Sequence, residues 1–176
     1  MRIKILLILL SFCFTACSTM WAKNYPSLNV VSNINIDRYL GKWFEIARYP
    51  NWFQEGCYSV TANYELNDDG SIKVINRCSE GGKSGDLREA IGVAHVVDKS
   101  TNAKLKVSFF RPFYGNYWII DVGDDYEYAV VSEPSRKYLW ILSRTKTMDS
   151  VLYHHIIERL KLKGLEVNQL KITVQD

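Results

Sequence analysis

The sequence Asp37-Arg38-Tyr39-Leu40-Gly41-Lys42-Trp43-Phe44-Glu45-Ile46-Ala47-Arg48-Tyr49 predicts a short helical turn, a glycine and then a strand. Asp37 is the predicted N-cap, because its carboxylate can accept hydrogen bonds from the free N–H groups of the next turn. Gly41 ends the turn, since glycine adopts backbone conformations that other residues avoid. Trp43 begins the strand with a large ring that needs apolar contacts and a partner for its N–H. A Gly-x-Trp pattern fits a tryptophan that plugs part of the fold, but it also fits an ordinary core tryptophan after a turn. The rest of the chain must distinguish these two interpretations.

Strand signals recur at short intervals along the chain. The predicted strands cover residues 43–49, 57–66, 71–78, 87–97, 104–110, 116–122, 126–131 and 138–144. Apolar and polar residues alternate in several of them, as in strands with one buried face. Eight antiparallel strands can close into an up-and-down barrel with room for one small ligand. A β-sandwich of this length is expected to show a Cys–Trp–Cys spacing, which is missing here, so we predict an all-β barrel.

One helix and one further strand are predicted after the barrel. Thr147 is the predicted N-cap of the helix, Asp149 lies favourably in its first turn, and Gly164 ends it. The apolar stripe over 148–160 is expected to pack on the outside of the barrel wall. A last strand, 169–174, is expected to pair on the outside as well.

Residues 1–16 have the features of a secretory signal. Arg2 and Lys4 precede the apolar run 5–14, which is too short to span a membrane. Without Arg2 and Lys4, the 22 basic residues fall to 20 against 19 acidic residues, which leaves a net charge of +1. Such a charge is too small for a nucleic-acid interface, so we expect no nucleic-acid partner. Residues 17–33 are predicted to form a lipidated N-terminus and tether, and 34–176 one domain.

Thr15-Ala16-Cys17 resembles the lipobox of bacterial lipoproteins, although Phe14 stands where that pattern usually has Leu. The resemblance implies cleavage before Cys17, a diacylglycerol thioether on its sulfur and a fatty acyl group such as palmitate on its new amine. Several acyl chains anchor a protein firmly, whereas one chain binds reversibly. Ser18 rather than Asp follows the cysteine, which implies the outer membrane, facing the periplasm. The alternative is a plain signal peptide with an incidental cysteine.

Cys57 and Cys78 are the cysteines left for the folded domain. The hairpin turn at 67–70 places them almost opposite each other on two antiparallel strands, within reach of a disulfide in an oxidising compartment. The alternative is a reactive Cys57 thiol, but no His or Lys lies nearby in sequence to activate it.

Three signatures now occur in the order typical of one family. Gly41-x-Trp43 opens the first strand, 124–126 (Asp-Asp-Tyr) precedes the seventh, and Arg144 ends the eighth. The chain resembles the lipocalins over residues 34–174, and among them the bacterial outer-membrane lipoproteins and their apolipoprotein D-like relatives. The longest similar strings are residues 39–48, 106–115 and 138–145. The family usually has Thr where Asp124 stands.

The resemblance implies that Arg144 lies across Trp43 and closes one end of the barrel, with Gly41 beside them. Stacking of a guanidinium on an indole is a favourable cation–π contact, so the role expected of these residues is structural. Glu45 shares the inward face with Trp43. A buried carboxylate needs a partner, and an arginine or backbone N–H near the closed end is expected rather than a ligand.

The resemblance also implies an open end and a fatty acid, lysophospholipid or similar amphiphile as ligand. The candidate ligand contacts are Trp52, Phe53, Val60, Ala62, Tyr64, Val74, Ala94, Val107, Phe109, Phe113, Tyr117 and Trp140. Further inward-facing candidates for the lining are Ile72, Leu105 and Leu142. The small side chains at Ala90, Gly92 and Ala94 fit a cavity or a tightly packed neighbour. The candidates for a polar head group near the mouth are Arg77, Arg88, Arg111, Tyr114 and Tyr117.

These features predict a membrane-anchored lipid carrier for envelope maintenance. The three histidines lack metal-ligand spacing, and Asp121, Asp124 and Asp125 are interpreted as turn formers. We therefore predict no cofactor, no metal and no enzymatic activity. Two alternatives stay open, namely an enzyme acting on a bound lipid and a structural envelope lipoprotein with a filled barrel. The oligomeric state is also open, with a homodimer as one alternative.

Overall fold

A computed structural model describes residues 27–175 of the chain. The elements are α1 (Ile36–Tyr39), β1 (Gly41–Arg48), β2 (Cys57–Leu66), β3 (Ile72–Glu80), β4 (Asp86–Val96), β5 (Lys104–Phe110), β6 (Phe113–Val122), β7 (Tyr128–Ser132), β8 (Leu139–Ser143), α2 (Ser150–Leu162) and β9 (Lys171–Ile172). Short 3₁₀ turns cover Trp52–Gln54 and Val167–Gln169. The predicted signal sequence and the lipidation site at Cys17 lie outside the described residues.

The strands form one closed antiparallel barrel. Each strand from β2 to β8 pairs with the next, β8 pairs with β1, and β1 pairs back with β2. The closing ladder places Gly41 opposite Tyr64 and Trp43 opposite Ala62. The prediction of an eight-stranded up-and-down barrel is confirmed, and β2 and β5 have the predicted bounds.

The short C-terminal strand lies in the barrel wall, so the prediction that it pairs on the outside was wrong. The ladder between β1 and β2 covers only the first half of β1, and the two strands separate beyond it. In β9, Ile172 pairs with Ala47 of β1. Farther along, the carbonyl of Val174 accepts from the Ser59 N–H of β2 at 2.8 Å. Unpaired backbone groups in a buried wall are costly, and this segment satisfies them on both sides.

Both helices begin at caps other than the predicted ones. Asn35, not Asp37, caps α1, and its Oδ1 accepts from the Arg38 N–H at 3.1 Å. Asp149, not Thr147, caps α2, and its Oδ1 accepts from two N–H groups of the first turn. In both cases another residue with a capping side chain stands two positions away, and the exact start of the helix decides which one is used.

Two apolar cores share the barrel wall. Trp43, Val131 and Leu142 belong to the core inside the barrel. The second core lies between the wall and α2, where Ile156 and Leu160 pack without exposure. Leu28, in the segment predicted as a tether, is buried in this second core.

Within residues 27–175, no helix has the length and hydropathy of a transmembrane span.

The packing of α2 on the wall gives the first testable prediction. Leu160→Ala removes a fully buried side chain and should lower the free energy of unfolding by about 2–5 kcal/mol. Val151→Ala is the matched control, because Val151 lies on the same helix and is 59% exposed. Urea unfolding of both variants would test this, and equal losses would contradict the packing described here.

Candidate functional site

The base of the barrel is closed by an arginine stacked on a tryptophan. The Cζ atom of Arg144 lies 3.7 Å from the centre of the Trp43 ring, and that indole is fully buried. Arg144 also donates from Nη1 to the carbonyl of Lys42 at 2.9 Å and from Nη2 to that of Arg38 at 2.6 Å. A guanidinium over an indole contributes about 2 kcal/mol when it is shielded from water. Arg144 therefore ties the segment after β8 to both α1 and β1.

The predicted closure residues thus lie together in the structure. Gly41 has a φ of +86°, a left-handed conformation that other residues rarely adopt. A Cβ at this position would stand 3.6 Å from Arg144 Nη1, an ordinary contact, so the conformation rather than the space requires glycine. Trp43 Nε1 donates to the carbonyl of Tyr39 at 2.8 Å, so α1 supplies the partner that the buried indole needs.

A small apolar cavity lies inside the barrel near this closed base. Its lining consists of Tyr39, Tyr64, Ile72, Val74, Ala94, Leu105, Val107 and Tyr117. The cavity has a volume of about 10 Å³, about the room that one water molecule needs. An acyl chain can therefore enter this cavity only where side chains move.

Three phenol hydroxyls meet in this lining. The Tyr117 oxygen lies 2.7 Å from that of Tyr39 and 2.8 Å from that of Tyr64. Burial raises the pKa of Tyr64 to about 12 and holds the pKa values of Tyr39 and Tyr117 well above the ordinary value. All three side chains are therefore neutral in an ordinary buffer. Tyr117, predicted near the mouth, lies at the inner end instead, in register with Leu105.

Phe109 lies on β5 two residues beyond the cavity residue Val107, toward the β5–β6 turn. A Cβ on Gly92 would stand 2.8 Å from Phe109 Cδ1, so the ring occupies the space that the missing side chain leaves. The neighbours Ala94 and Val107 line the cavity, whereas Phe109 is 44% exposed. The predicted small face at Ala90, Gly92 and Ala94 is therefore covered in part by an aromatic ring.

The other predicted contacts are distributed between the wall and the mouth. Val60 is buried, and Ala62 packs on the inner core. Trp140 donates from Nε1 to Gln54 Oε1 at 2.9 Å, which joins β8 to the loop after β1. These residues belong to the barrel wall but do not line the small apolar cavity.

The predicted rim aromatics are exposed in different degrees. Trp52 is 81% exposed, whereas Phe53 is 41% exposed and its ring lies 6.4 Å from that of Trp140. Phe113 is 70% exposed and stacks on Phe110 at the tip of the β5–β6 hairpin. The structure therefore places Trp52 and Phe113 outside the lumen.

The arginine candidates for a head group near the mouth do not line the inner cavity. Arg77 and Arg88 form ion pairs with glutamates of neighbouring strands, at 2.6 and 2.9 Å. Arg111 and Tyr114 are exposed residues near the β5–β6 turn. The polar groups that line the cavity are therefore phenols, not guanidinium groups.

Glu45 is buried, and its carboxylate accepts from three side chains. Arg48 Nη1 donates to Oε1 at 2.6 Å, Gln54 Nε2 donates to Oε2 at 2.7 Å, and the Thr173 hydroxyl donates to Oε1. An arginine partner was expected, but the cluster lies beside the C-terminal segment and the β1–β2 loop rather than at the base beside Trp43. Glu45 therefore helps to join the barrel wall to the chain end.

Tyr39 is the cavity residue that sequence reasoning missed. It belongs to α1 and not to a strand, so the inward–outward alternation of strands gives no information about it.

Cys57 and Cys78 form the predicted disulfide, with Cα atoms 5.4 Å apart. Among residues 27–175, no group of three or more His, Cys, Asp or Glu side chains is placed to hold a metal ion.

Comparison with known proteins agrees with this geometry. The family model described as a lipocalin-like domain matches residues 34–175. The outer membrane lipoprotein Blc of Vibrio cholerae is 42% identical over 168 residues, which cover 94% of this chain and 95% of that protein. The chain belongs to the lipocalin family. Apolipoprotein D of Rattus norvegicus is 34% identical to this lipocalin, over 86% of this chain and 81% of the relative.

Solved structures share the barrel of this lipocalin. Insecticyanin from the tobacco hornworm Manduca sexta superposes with a TM-score of 0.70 at 17% identity, over 86% of each chain. An identity this low shows the fold alone.

Arg144 gives a prediction about the closed base. Arg144→Ala should lower the free energy of unfolding by about 2–4 kcal/mol, because it removes the stacking on Trp43 and charged hydrogen bonds to backbone carbonyls. Arg144→Lys should recover only part of this loss, since lysine lacks the planar fork. Urea unfolding and lipid titration would compare stability with affinity. The exposed Lys146, on the same connection, supplies the control Lys146→Ala, and equal relative losses of stability and affinity in Arg144→Ala would count against a structural role.

The buried phenols predict a loss of stability in alkali. An unfolded tyrosine ionises near pH 10, whereas the folded Tyr64 has a pKa of about 12. The unfolded chain therefore loses its protons first, and the free energy of unfolding should fall from about pH 10 upward. Two pKa units correspond to about 3 kcal/mol, so Tyr64→Phe should flatten this fall by up to that amount. Urea unfolding between pH 9 and 12 measures this fall, with Tyr114→Phe, at a tyrosine that is 42% exposed, as the control variant.

Proposed function

We propose that this lipocalin is a membrane-anchored lipid-binding protein that stores or carries fatty acids, lysophospholipids or similar amphiphiles for envelope maintenance. One observation carries the proposal. The apolar inner cavity of the barrel is lined by Val107, and Phe109, two residues farther along the same strand toward the open end, carries a ring that is already 44% exposed. Rotation of this ring into solvent would connect the cavity with the mouth without disturbing the ladder of backbone hydrogen bonds.

The energy of acyl-chain burial is sufficient for such an opening. Each buried methylene group contributes roughly 0.8 kcal/mol, and a fatty acid supplies many of them. The cost is the exposure of one ring that is partly exposed in the free protein, together with smaller shifts of neighbours such as Val107. The balance favours binding of a long chain over binding of a short one.

The anchor and the location are part of the same proposal. The sequence predicts lipidation at Cys17, with diacylglycerol and palmitate groups, and Ser18 after it favours the outer membrane with the domain facing the periplasm. The relative from Vibrio cholerae carries the name outer membrane lipoprotein, which supports this location. Attachment near a bilayer would keep the lumen close to a source of lipids.

We propose no enzymatic role. The eight side chains that line the cavity are aliphatic groups and phenols. Burial keeps the phenols protonated, so they are poor general bases at neutral pH. Slow turnover of a delivered lipid would contradict this statement.

The small cavity favours a second candidate function. A volume of about 10 Å³ is also what a filled barrel would show, and a lipoprotein with a filled barrel would serve the envelope as a structural protein. The two candidates differ in whether the purified domain takes up lipid.

Titration with a fluorescent fatty acid separates the two candidates. We expect saturable binding of one ligand per barrel and displacement by unlabelled fatty acid. Phe109→Ala should speed association severalfold, because it removes the ring that lies beyond the cavity residue Val107 toward the mouth.

Phe110→Ala is the matched control for this experiment. Phe110 is the next residue, is 75% exposed and stacks on Phe113 rather than on Gly92. Its removal should leave the association rate unchanged. Absence of saturable binding in the delipidated wild-type protein would reject the carrier and leave the structural lipoprotein.

A further inference from the structure

We propose that the open end of the barrel docks on a lipid bilayer through two groups of exposed aromatic side chains, with the mouth facing the membrane surface. This inference rests on the membrane anchor of the proposed function and adds to it the face of the domain that meets the lipid. A carrier held in this way would exchange its ligand directly with the bilayer.

The exposed aromatic residues are confined to two connections of the barrel. Within residues 27–175, the exposed aromatic side chains are Trp52, Phe53, Phe109, Phe110, Phe113 and Tyr114. The first two lie in the 3₁₀ turn between β1 and β2, and the other four lie at or beside the β5–β6 turn. Neighbouring strands run in opposite directions, so both connections lie at the end of the barrel opposite to α1. The exposed aromatic surface is therefore a property of the open end.

The two aromatic groups lie on opposite sides of the mouth. In the closed order of strands, β3 and β4 separate the β1–β2 connection from the β5–β6 connection on one side, and β7 and β8 separate them on the other. A flat surface that touches both groups therefore lies across the mouth. Docking on such a surface would bring the lumen against it.

The largest of these side chains have little cover from the domain itself. Trp52 is 81% exposed, and Phe110 and Phe113 are 75% and 70% exposed. The rings of Phe110 and Phe113 stack with their centres 6.2 Å apart, so each ring is covered by the other rather than by the barrel wall. Contact of apolar area with water is unfavourable, and a cluster of such area is typical of an interaction surface.

The residue types favour lipid as the partner. Aromatic side chains are enriched where a membrane meets water, because a ring can lie among the head groups with its polar edge in water. Arg111 stands between Phe110 and Phe113 in the chain and is itself exposed. An arginine can place its stem along apolar surface while its guanidinium reaches a phosphate. The β5–β6 turn therefore combines the side chains that suit a bilayer interface.

The charges at the open end do not select an anionic surface. Arg111 and Lys137 lie on its connections, but so do Glu55 and Glu133. With both signs present, the apolar rings rather than a net charge would provide the contact. Docking should therefore depend little on salt, which screens charges but not apolar contacts.

The length of chain before the domain keeps the domain beside a bilayer. Nine residues, 18–26, separate the predicted lipidation site Cys17 from the first described residue, and Leu28 is already packed in the second core. Fully extended, these residues span about 30 Å. That distance is about the length of a ten-residue strand such as β2. The bilayer is therefore present at a high effective concentration, so contacts of a few rings are sufficient.

Quenching by brominated lipids tests the inference. We would reconstitute the lipidated protein into vesicles of phosphatidylethanolamine and phosphatidylglycerol, with and without bromine on the upper acyl chains. Subtracting the emission of Trp52→Phe from that of the wild-type protein isolates Trp52 and removes the background of the other tryptophans, including Trp21 near the predicted anchor. The Trp52 emission should fall severalfold in the brominated vesicles. Equal emission in both kinds of vesicle would overturn the inference.

A double variant tests whether both sides of the mouth dock together. Phe110→Ser with Phe113→Ser changes two exposed rings across the mouth from Trp52, so it affects Trp52 through the orientation of the whole domain, and most of the quenching should be lost. Leu66→Ser with Val97→Ser is the matched control, because these residues are 52% and 55% exposed beside turns of the closed end. Full quenching in the Phe110 and Phe113 variant would contradict docking through two groups.

Flotation of the vesicles distinguishes the two ways in which the inference can fail. Wild-type protein that does not float with the vesicles would overturn both the proposed anchor and the docking. Protein that floats but shows no quenching of Trp52 would overturn the docking alone, and this is also the result expected if the aromatic groups pack on a second copy of the chain.

Discussion

The stacking of Arg144 on Trp43 determines how the rest of the barrel is arranged. The guanidinium lies 3.7 Å from the indole centre and donates to carbonyls of α1 and β1, so one side chain after β8 holds the first two elements of the domain. The indole in turn donates to the carbonyl of Tyr39. This bond fixes α1 under the barrel, and the Tyr39 ring is thereby placed in the lumen, 5.1 Å from that of Trp43. The closed base and the inner end of the candidate site therefore depend on the same contact.

The sizes of the side chains that face the barrel interior matter for its packing as much as their polarity does. Gly92 leaves a space in the wall, and Phe109 fills it from the neighbouring strand. Small and large residues facing each other across adjacent strands are an ordinary way to fill a barrel. Here the pair lies beside Ala94 and Val107, which face each other across the same two strands and line the cavity of about 10 Å³. The Phe109 ring therefore covers part of the small face of the barrel interior.

The wall near the open end depends on the last residues of the chain. β1 and β2 separate there, and the Gln175 amide donates to the carbonyls of Glu45 and Val60, one on each strand. Next to these Gln175 hydrogen bonds, the Glu45 carboxylate forms an ion pair with Arg48 and accepts a hydrogen bond from the Thr173 hydroxyl. A buried charge is tolerated only when it is paired and hydrogen-bonded, and removing one partner of such a pair is strongly destabilising. The C-terminal segment is therefore part of the barrel and not an appendage to it.

The sequence by itself determined the strand count, the closed topology, the closure residues and the pairing of Cys57 with Cys78, because each of these depends on local alternation, turn chemistry or a family signature. Only the tertiary structure decided that Tyr39 and Tyr117 meet at the inner end, and that β9 enters the wall. Alternation reveals which face of a strand points inward but not the height of a residue along the barrel axis, which follows from strand tilt and stagger. Bulges such as the one between Glu45 and Ala47 shift that stagger further, and no pattern in the chain marks where they occur.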